Sequence, residues 1–200
     1  MPRARRRSNE RVWEVALATA REELAAAGDA VGVLDVEVQS AAAPEAAGAG
    51  FDATVRAFMA AGESLDRATD LRGLVAVGDA LEHTRYELAC VRELLEGGAP
   101  PQRTAPCLFH PAHGPSVQEV SFGPGDHAVP ACAQDAARIA GGEAPLVRLI
   151  AVGDRALPYW DVPAGYGGLL EGYYARFGGA PRLAALLAGT PLGQALSAAR

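Results

Sequence analysis

Residues 107–116, CLFHPAHGPS, place one cysteine and two histidines within seven positions, between prolines, in a chain that has three cysteines and four histidines in all. Thiolate and imidazole at such spacing suit two kinds of chemistry. One is metal ligation, and the other is a nucleophile paired with its base. Further on, VPACAQDAARI supplies a second sulfur and a carboxylate. The order of candidate ligands is Cys107, His113, Cys132, Asp135: C-x5-H, an eighteen-residue gap, then C-x2-D.

The physics of ligation suits this set. A cation needs deprotonated sulfur. Cys132 precedes a helical pattern, where the helix dipole favours thiolate. Asp135 lies one turn on and can face the same way. Pro111, Gly114 and Pro115 limit the conformations of the loop that carries His113. Two sulfurs, one imidazole and one carboxylate satisfy tetrahedral zinc, the expected cofactor. His110 is the rival for the imidazole place or a neighbour supporting it, and His127 is a weaker third choice. The competing readings of the cysteines are a Cys107–Cys132 disulfide, two unligated thiols, or a catalytic Cys107 or Cys132. Cys132 and Arg138 match the C-x5-R of cysteine phosphatases, but the intervening AQDAA has no glycine and sets an aspartate where phosphate would sit. No G-x-S-x-G, P-loop or G-x-G-x-x-G occurs.

The elements that must hold these groups can be read from periodicity. Between Pro101 and Pro163 the chain is rich in proline, glycine and short β-prone runs: CLF, SVQEVSF, HAVPAC and LVRLIAV. A turn is expected at GPGD, a short helix from Cys132 to Gly141-Gly142, and a hairpin turning at Gly153-Asp154. Knuckle, hairpin, then helix N-terminus is a treble-clef-like layout. Tyr159 and Trp160 are expected to pack on the hairpin.

Before this module the pattern is helical. Trp13, Leu17, Ala20, Leu24, Ala27, Val31, Leu34 and Val38 follow a coiled-coil heptad over 8–39, with Gly28 as a point of weakness. SAAAPEAAGAG, 40–50, reads as a loop. A second helix spans 51–66, with Phe51, Val55, Phe58, Met59 and Leu65 on one face. A third spans 70–96 and stops at EGGAPP. Cys90 lies beside its apolar seam as a buried thiol. After the module, 163–180 is rich in glycine and tyrosine and reads as irregular, with a weakly amphipathic C-terminal helix or a surface-seeking tail beyond.

The expected fold is therefore α+β, in three parts. Residues 1–98 form an antiparallel helical hairpin or three-helix bundle, 105–162 the small β-rich module with the metal site, and 163–200 the Gly/Tyr-rich segment and C-terminal helix. Half of the residues are apolar and 21% are charged, an ordinary globular balance. Net charge is −6, which disfavours general nucleic-acid binding. All 18 basic residues other than histidine are arginine, a codon signature of a high-GC bacterial source. Arg3, Arg5, Arg6 and Arg7 could touch an anionic membrane surface. No secretion signal or transmembrane run is visible, so a cytoplasmic chain with reduced thiols is expected.

PCLFHPAHGPS, then VPACAQDAARI, then LPYWDV resembles an uncharacterised family from high-GC bacteria, over about residues 70–190. Its pattern is P-C-x-F-x-P-x-H-G-P-S followed by V-P-x-C-x-x-D-A-x-R, after a long helical region. The resemblance sets its recurring positions on Cys107, His113, Gly114, Cys132 and Asp135, favours His113 over His110 as ligand, and implies no activity. Taken together, the expectation is a non-enzymatic interaction or scaffolding protein with a structural zinc site, its helical faces serving partners or self-association. The alternatives are a cysteine- or metal-dependent enzyme using Cys107 or Cys132, and a peripheral membrane protein.

Overall fold

A computed structural model describes residues 2–40, 44–122 and 127–179. Three helices, α1 (Pro2–Ser40), α2 (Glu45–Arg67) and α3 (Gly73–Leu95), pack together. The hairpin β1 (Gln118–Phe122) and β2 (His127–Ala131) follows, then α4 (Ala133–Ala140), the hairpin β3 (Leu149–Val152) and β4 (Arg155–Pro158), and α5 (Pro163–Tyr174). Both hairpins are antiparallel and two-stranded. The fold is α+β, as the pattern predicts.

The heptad of the first helix and the apolar seam of the third bury as expected. Ala20, Ala27 and Leu34 of α1, and Leu74, Val77, Leu81, Leu88 and Val91 of α3, lie in the core. No break occurs at Gly28; Phe58 of α2 packs there, so close that a Cβ would stand 3.1 Å from its ring. Helix α2 starts six residues earlier than its apolar pattern suggests, within the expected loop. Its buried face is Ala47, Thr54, Ala57, Ala61 and Leu65, so Met59 points out, 59% exposed. Small side chains let the helices approach closely, and the large apolar residues flank that seam. At the start of α3, Asp70 Oδ1 accepts from the N–H groups of Arg72 and Gly73, both at 3.0 Å. At its end Gly97 turns with φ +79°, and Gly98 N–H donates to Glu93 O at 2.8 Å.

Two further expectations need correction. CLF is no strand: Pro106 and Pro115 form an isolated bridge that closes a loop. The Gly/Tyr-rich segment is not irregular. Residues 163–174 form α5, which buries Tyr166, Leu169, Tyr173 and Tyr174 against α1 and α3. Its glycines are the reason it fits. A Cβ on Gly172 would collide with Val75 O and come within 2.7 Å of Gly78 Cα, and one on Gly78 would strike Leu169 O. Backbone meets backbone where α5 crosses α3, and the packing gained there offsets glycine's poor helix propensity. The GPGD turn and the C-terminal helix lie outside the described residues. Among the described residues no helix is long and apolar enough to cross a membrane.

One continuous core joins Ala16 and Ala20 of α1, Leu74 and Leu81 of α3, the loop residues Cys107, Leu108 and Phe109, Val129 of β2, Ile150 of β3 and the tyrosines of α5. The loop that carries the first candidate ligand is thus embedded in the helical core.

Candidate metal centre

The segment 106–117 is held on every side. Cys107 N–H donates to Gly114 O at 3.1 Å, Leu108 N–H to Pro130 O at 2.8 Å, and Val117 N–H to Ala131 O at 2.9 Å. Pro111–His113 form one tight helical turn, and Gly114 exits it with φ +85° and ψ −158°, a conformation open only to glycine. From the core side two buried tyrosines bracket Cys107. Tyr174 donates to Pro106 O at 3.0 Å and Tyr159 to Leu108 O at 2.6 Å. Tyr159 also meets Trp160 edge to face, at 5.0 Å between centroids. Cys132 caps α4, its sulfur accepting from Asp135 N–H at 3.4 Å.

These supports bring Cys107, His113, Cys132 and Asp135 together. One ligand atom from each lies within 4.8 Å of all the others. Asp135 Oδ2 is the hub. It lies 2.9 Å from His113 Nδ1, 3.2 Å from Cys107 Sγ and 3.3 Å from Cys132 Sγ, and Cys132 Sγ is 3.6 Å from His113 Nδ1. The second oxygen, Oδ1, accepts from Leu146 N–H at 2.7 Å, which fixes the carboxylate plane. Cys107 and Asp135 are fully buried, while the His113 side chain keeps 21% of its surface exposed. No disulfide joins the cysteines. Cys90, the third thiol, is buried on α3.

The rival imidazole is engaged elsewhere. His110 Nδ1 accepts from Ala112 N–H at 3.2 Å, and its ring stacks on His113 with centroids 4.4 Å apart. Burial, with help from His113, pushes His110 down to about 4, so it is a neutral supporting ring. His127 contributes its backbone to β2.

Burial pushes the Cys107 thiol up to about 12 and raises Cys132 as well, against the lowering expected from its place at a helix start. The short α4 does not outweigh desolvation beside a carboxylate. Burial also works against ionising Asp135. The Leu146 amide and the Cys107, His113 and Cys132 donors overcome it and hold the carboxyl below its ordinary range. The arrangement is an anionic oxygen ringed by two protonated sulfurs and an imidazole. A divalent cation is the agent that would displace those protons.

Sequence reasoning missed a second polar centre behind the loop. Glu23 of α1 is 2% exposed. Its Oε2 accepts from Arg85 Nη2 at 2.7 Å and Tyr173 Oη at 3.0 Å, and its Oε1 from Arg148 Nε at 2.7 Å. Arg148 in turn donates its backbone N–H to Phe109 O at 2.9 Å, two residues from Cys107. A glutamate at the centre of α1, directly after another one, gives no sign in sequence of which is buried. The signal that could have found the partner is Arg85, a charge beside the apolar seam of α3.

No family model, curated protein or solved structure matches the chain. The functional reading therefore rests on the site's own geometry. Four side chains of metal-ligating type converge in a manner compatible with a bound metal ion.

Proposed function

We propose that Cys107, His113, Cys132 and Asp135 hold one structural zinc ion, and that the protein is a non-enzymatic interaction or scaffolding protein built around it. The observation that carries this reading is the convergence of four ligand atoms within 4.8 Å. With zinc–sulfur distances of about 2.3 Å and zinc–nitrogen or zinc–oxygen distances of about 2.0 Å, the edges of a coordination tetrahedron are about 3.3–3.8 Å. Four of the six edges run from 2.9 to 3.6 Å and none exceeds 4.8 Å, so side-chain shifts of up to about 1 Å would seat the ion. Two sulfurs select a soft, tetrahedral ion over magnesium or calcium.

Four protein ligands fill the coordination sphere, which is the arrangement of structural rather than catalytic zinc. Thiolate ligation suits a reducing, cytoplasmic setting. The helices supply contact surface: Val33 and Val36 of α1 are 54% and 65% exposed. The resemblance of the ligand-bearing motifs to a high-GC bacterial family belongs to this proposal too. Metal content of the purified chain tests it. One zinc per chain, lost in Cys132→Ser and kept in Cys90→Ala, is the expected result. A chain without metal whose Cys107 or Cys132 alkylates rapidly near neutral pH would instead point to thiol chemistry.

A further inference from the structure

A cavity of about 140 Å³ lies between α1, α3 and the loop that carries His113. That is roughly tenfold the volume one water needs. Its wall includes Ala26, Ala27 and Ala30 of α1, Arg85 and Arg92 of α3, and His113 itself. No carboxylate lines it, although the chain as a whole carries a net charge of −6. Cys107, Cys132 and Asp135 do not line it either, so His113 is the one metal-ligand candidate that faces both the cluster and the cavity.

We propose that this cavity binds a small oxyanion of the phosphate class, using Arg92 and the outer edge of His113; the proposal rests on the metal reading given above. His113 turns Nδ1 toward Asp135 and Cys132. With Nδ1 on a metal, Nε2 carries the ring proton and becomes a donor. Ligating histidines nearly always give that second N–H to an acceptor. Among the described residues no hydrogen bond to His113 Nε2 is formed, and Arg92 has no side-chain hydrogen bond or ion pair. Arg92 also borders a second cavity with Glu37 and Glu96, and pairs with neither. Arg85 is already held by Glu23 and Tyr173, so it fixes one wall and adds little net charge. A guanidinium with its donors free, sharing a wall without carboxylates with the ring of a candidate metal ligand, has the chemistry of an oxyanion site.

The test is a titration of inorganic phosphate into the zinc-loaded chain at constant ionic strength, followed by the His113 Nε2–H resonance. A saturable shift is expected. Arg92→Gln, an exposed substitution, should weaken it about ten-fold, the scale of one charge-assisted hydrogen bond. Ala30→Leu, which narrows the cavity and keeps every charge, should weaken it too. Acetate in place of phosphate reports whether one carboxylate suffices; tighter binding of acetate than phosphate would overturn the assignment to the phosphate class. A shift matched by chloride, or unchanged affinity in Arg92→Gln, would overturn the site. Metal content, measured on the same sample, separates the two readings: a chain that takes up no zinc refutes the parent proposal, whereas a loaded chain indifferent to phosphate refutes this one alone.

Discussion

Replacing Asp135 by asparagine isolates the contribution that a bound metal would make to stability. The amide side chain of Asp135→Asn keeps an oxygen where Oδ1 accepts from Leu146 N–H at 2.7 Å, so the backbone after α4 retains its anchor. It puts an uncharged nitrogen in place of Oδ2, the atom that lies 2.9–3.3 Å from the other three groups. Changing a group that only supports a metal ligand costs about 10–100-fold in affinity, so loss of an anionic ligand should cost at least about 100-fold, or about 2.7 kcal/mol. Suppose free zinc is set at about 1,000 times the wild-type Kd, where binding stabilises the native state by about 4.1 kcal/mol. The variant then retains roughly 1.4 kcal/mol of that stabilisation. For a chain of this length 1 kcal/mol moves the midpoint by about 2–4 °C, so Asp135→Asn should melt about 5–11 °C below wild type in buffered zinc. With chelator present most of that gap should close. Calorimetry in zinc-buffered and chelated solution reads both values. An equal gap in the two conditions would mean that Asp135 stabilises through its hydrogen bonds alone, and the metal argument would fail.

Three further outcomes follow from the supports around the site. Tyr159→Phe removes the donor to Leu108 O at 2.6 Å, leaves a buried carbonyl unpaired, and should cost about 1–3 kcal/mol in denaturant unfolding while weakening zinc affinity in a competition assay. Gly172→Ala drives a methyl group into Val75 O and the Asp79 amide where α5 crosses α3, and should cost about 1–3 kcal/mol; an unchanged melting temperature would mean that the crossing is looser than described. Glu23 gives a pH signature. Burial alone would raise its carboxyl, but Arg85 and Arg148 outweigh that and hold it below the ordinary value of 4.5. Its stabilisation is therefore present above pH 4.5 and lost as pH falls through the lower folded value. Glu23→Gln should flatten this acid limb in equilibrium unfolding, and at neutral pH it should cost about 3–5 kcal/mol by leaving two arginines without their shared buried partner.

Where sequence and structure agree, one short-range rule decides the outcome. The α1 heptad, the apolar seam of α3, its stop at Gly97, and the order of knuckle, hairpin and helix cap each depend on neighbours within a few residues. Gly153, with φ +64°, turns the second hairpin where Gly153-Asp154 predicts it. The disagreements come from distant partners. Helix α5 looks too glycine-rich to be a helix until α3 is set beside it, since Gly172 is explained by Val75 and Gly78. Tyr159 and Tyr174 reach back 51 and 68 residues to hold the carbonyls around Cys107. Glu22 and Glu23 are adjacent and chemically alike; the positions of Arg85, Arg148 and Tyr173 make Glu23 the buried counter-ion. In the site itself, the residues that converge and their order were legible, but the place of Asp135 Oδ2 as hub was not, because it depends on Leu146 fixing the other oxygen.

The two polar centres are linked through the loop that carries Cys107. Cys107 and Asp135 are sealed from solvent, while His113 keeps 21% of its side-chain surface exposed. The covalent and hydrogen-bonded path instead runs inward. Cys107 is two residues from Phe109, whose carbonyl receives the Arg148 amide, and the Arg148 side chain reaches Glu23 on α1, which holds Arg85 on α3. Metal binding would tie the knuckle to α4, and the ion-pair cluster ties the same knuckle to the bundle. Breaking either one frees the loop on one side only. Loss of the metal should therefore loosen the module against helices that stay folded, and hydrogen exchange should accelerate first at residues 107–117 and in α4, ahead of α3.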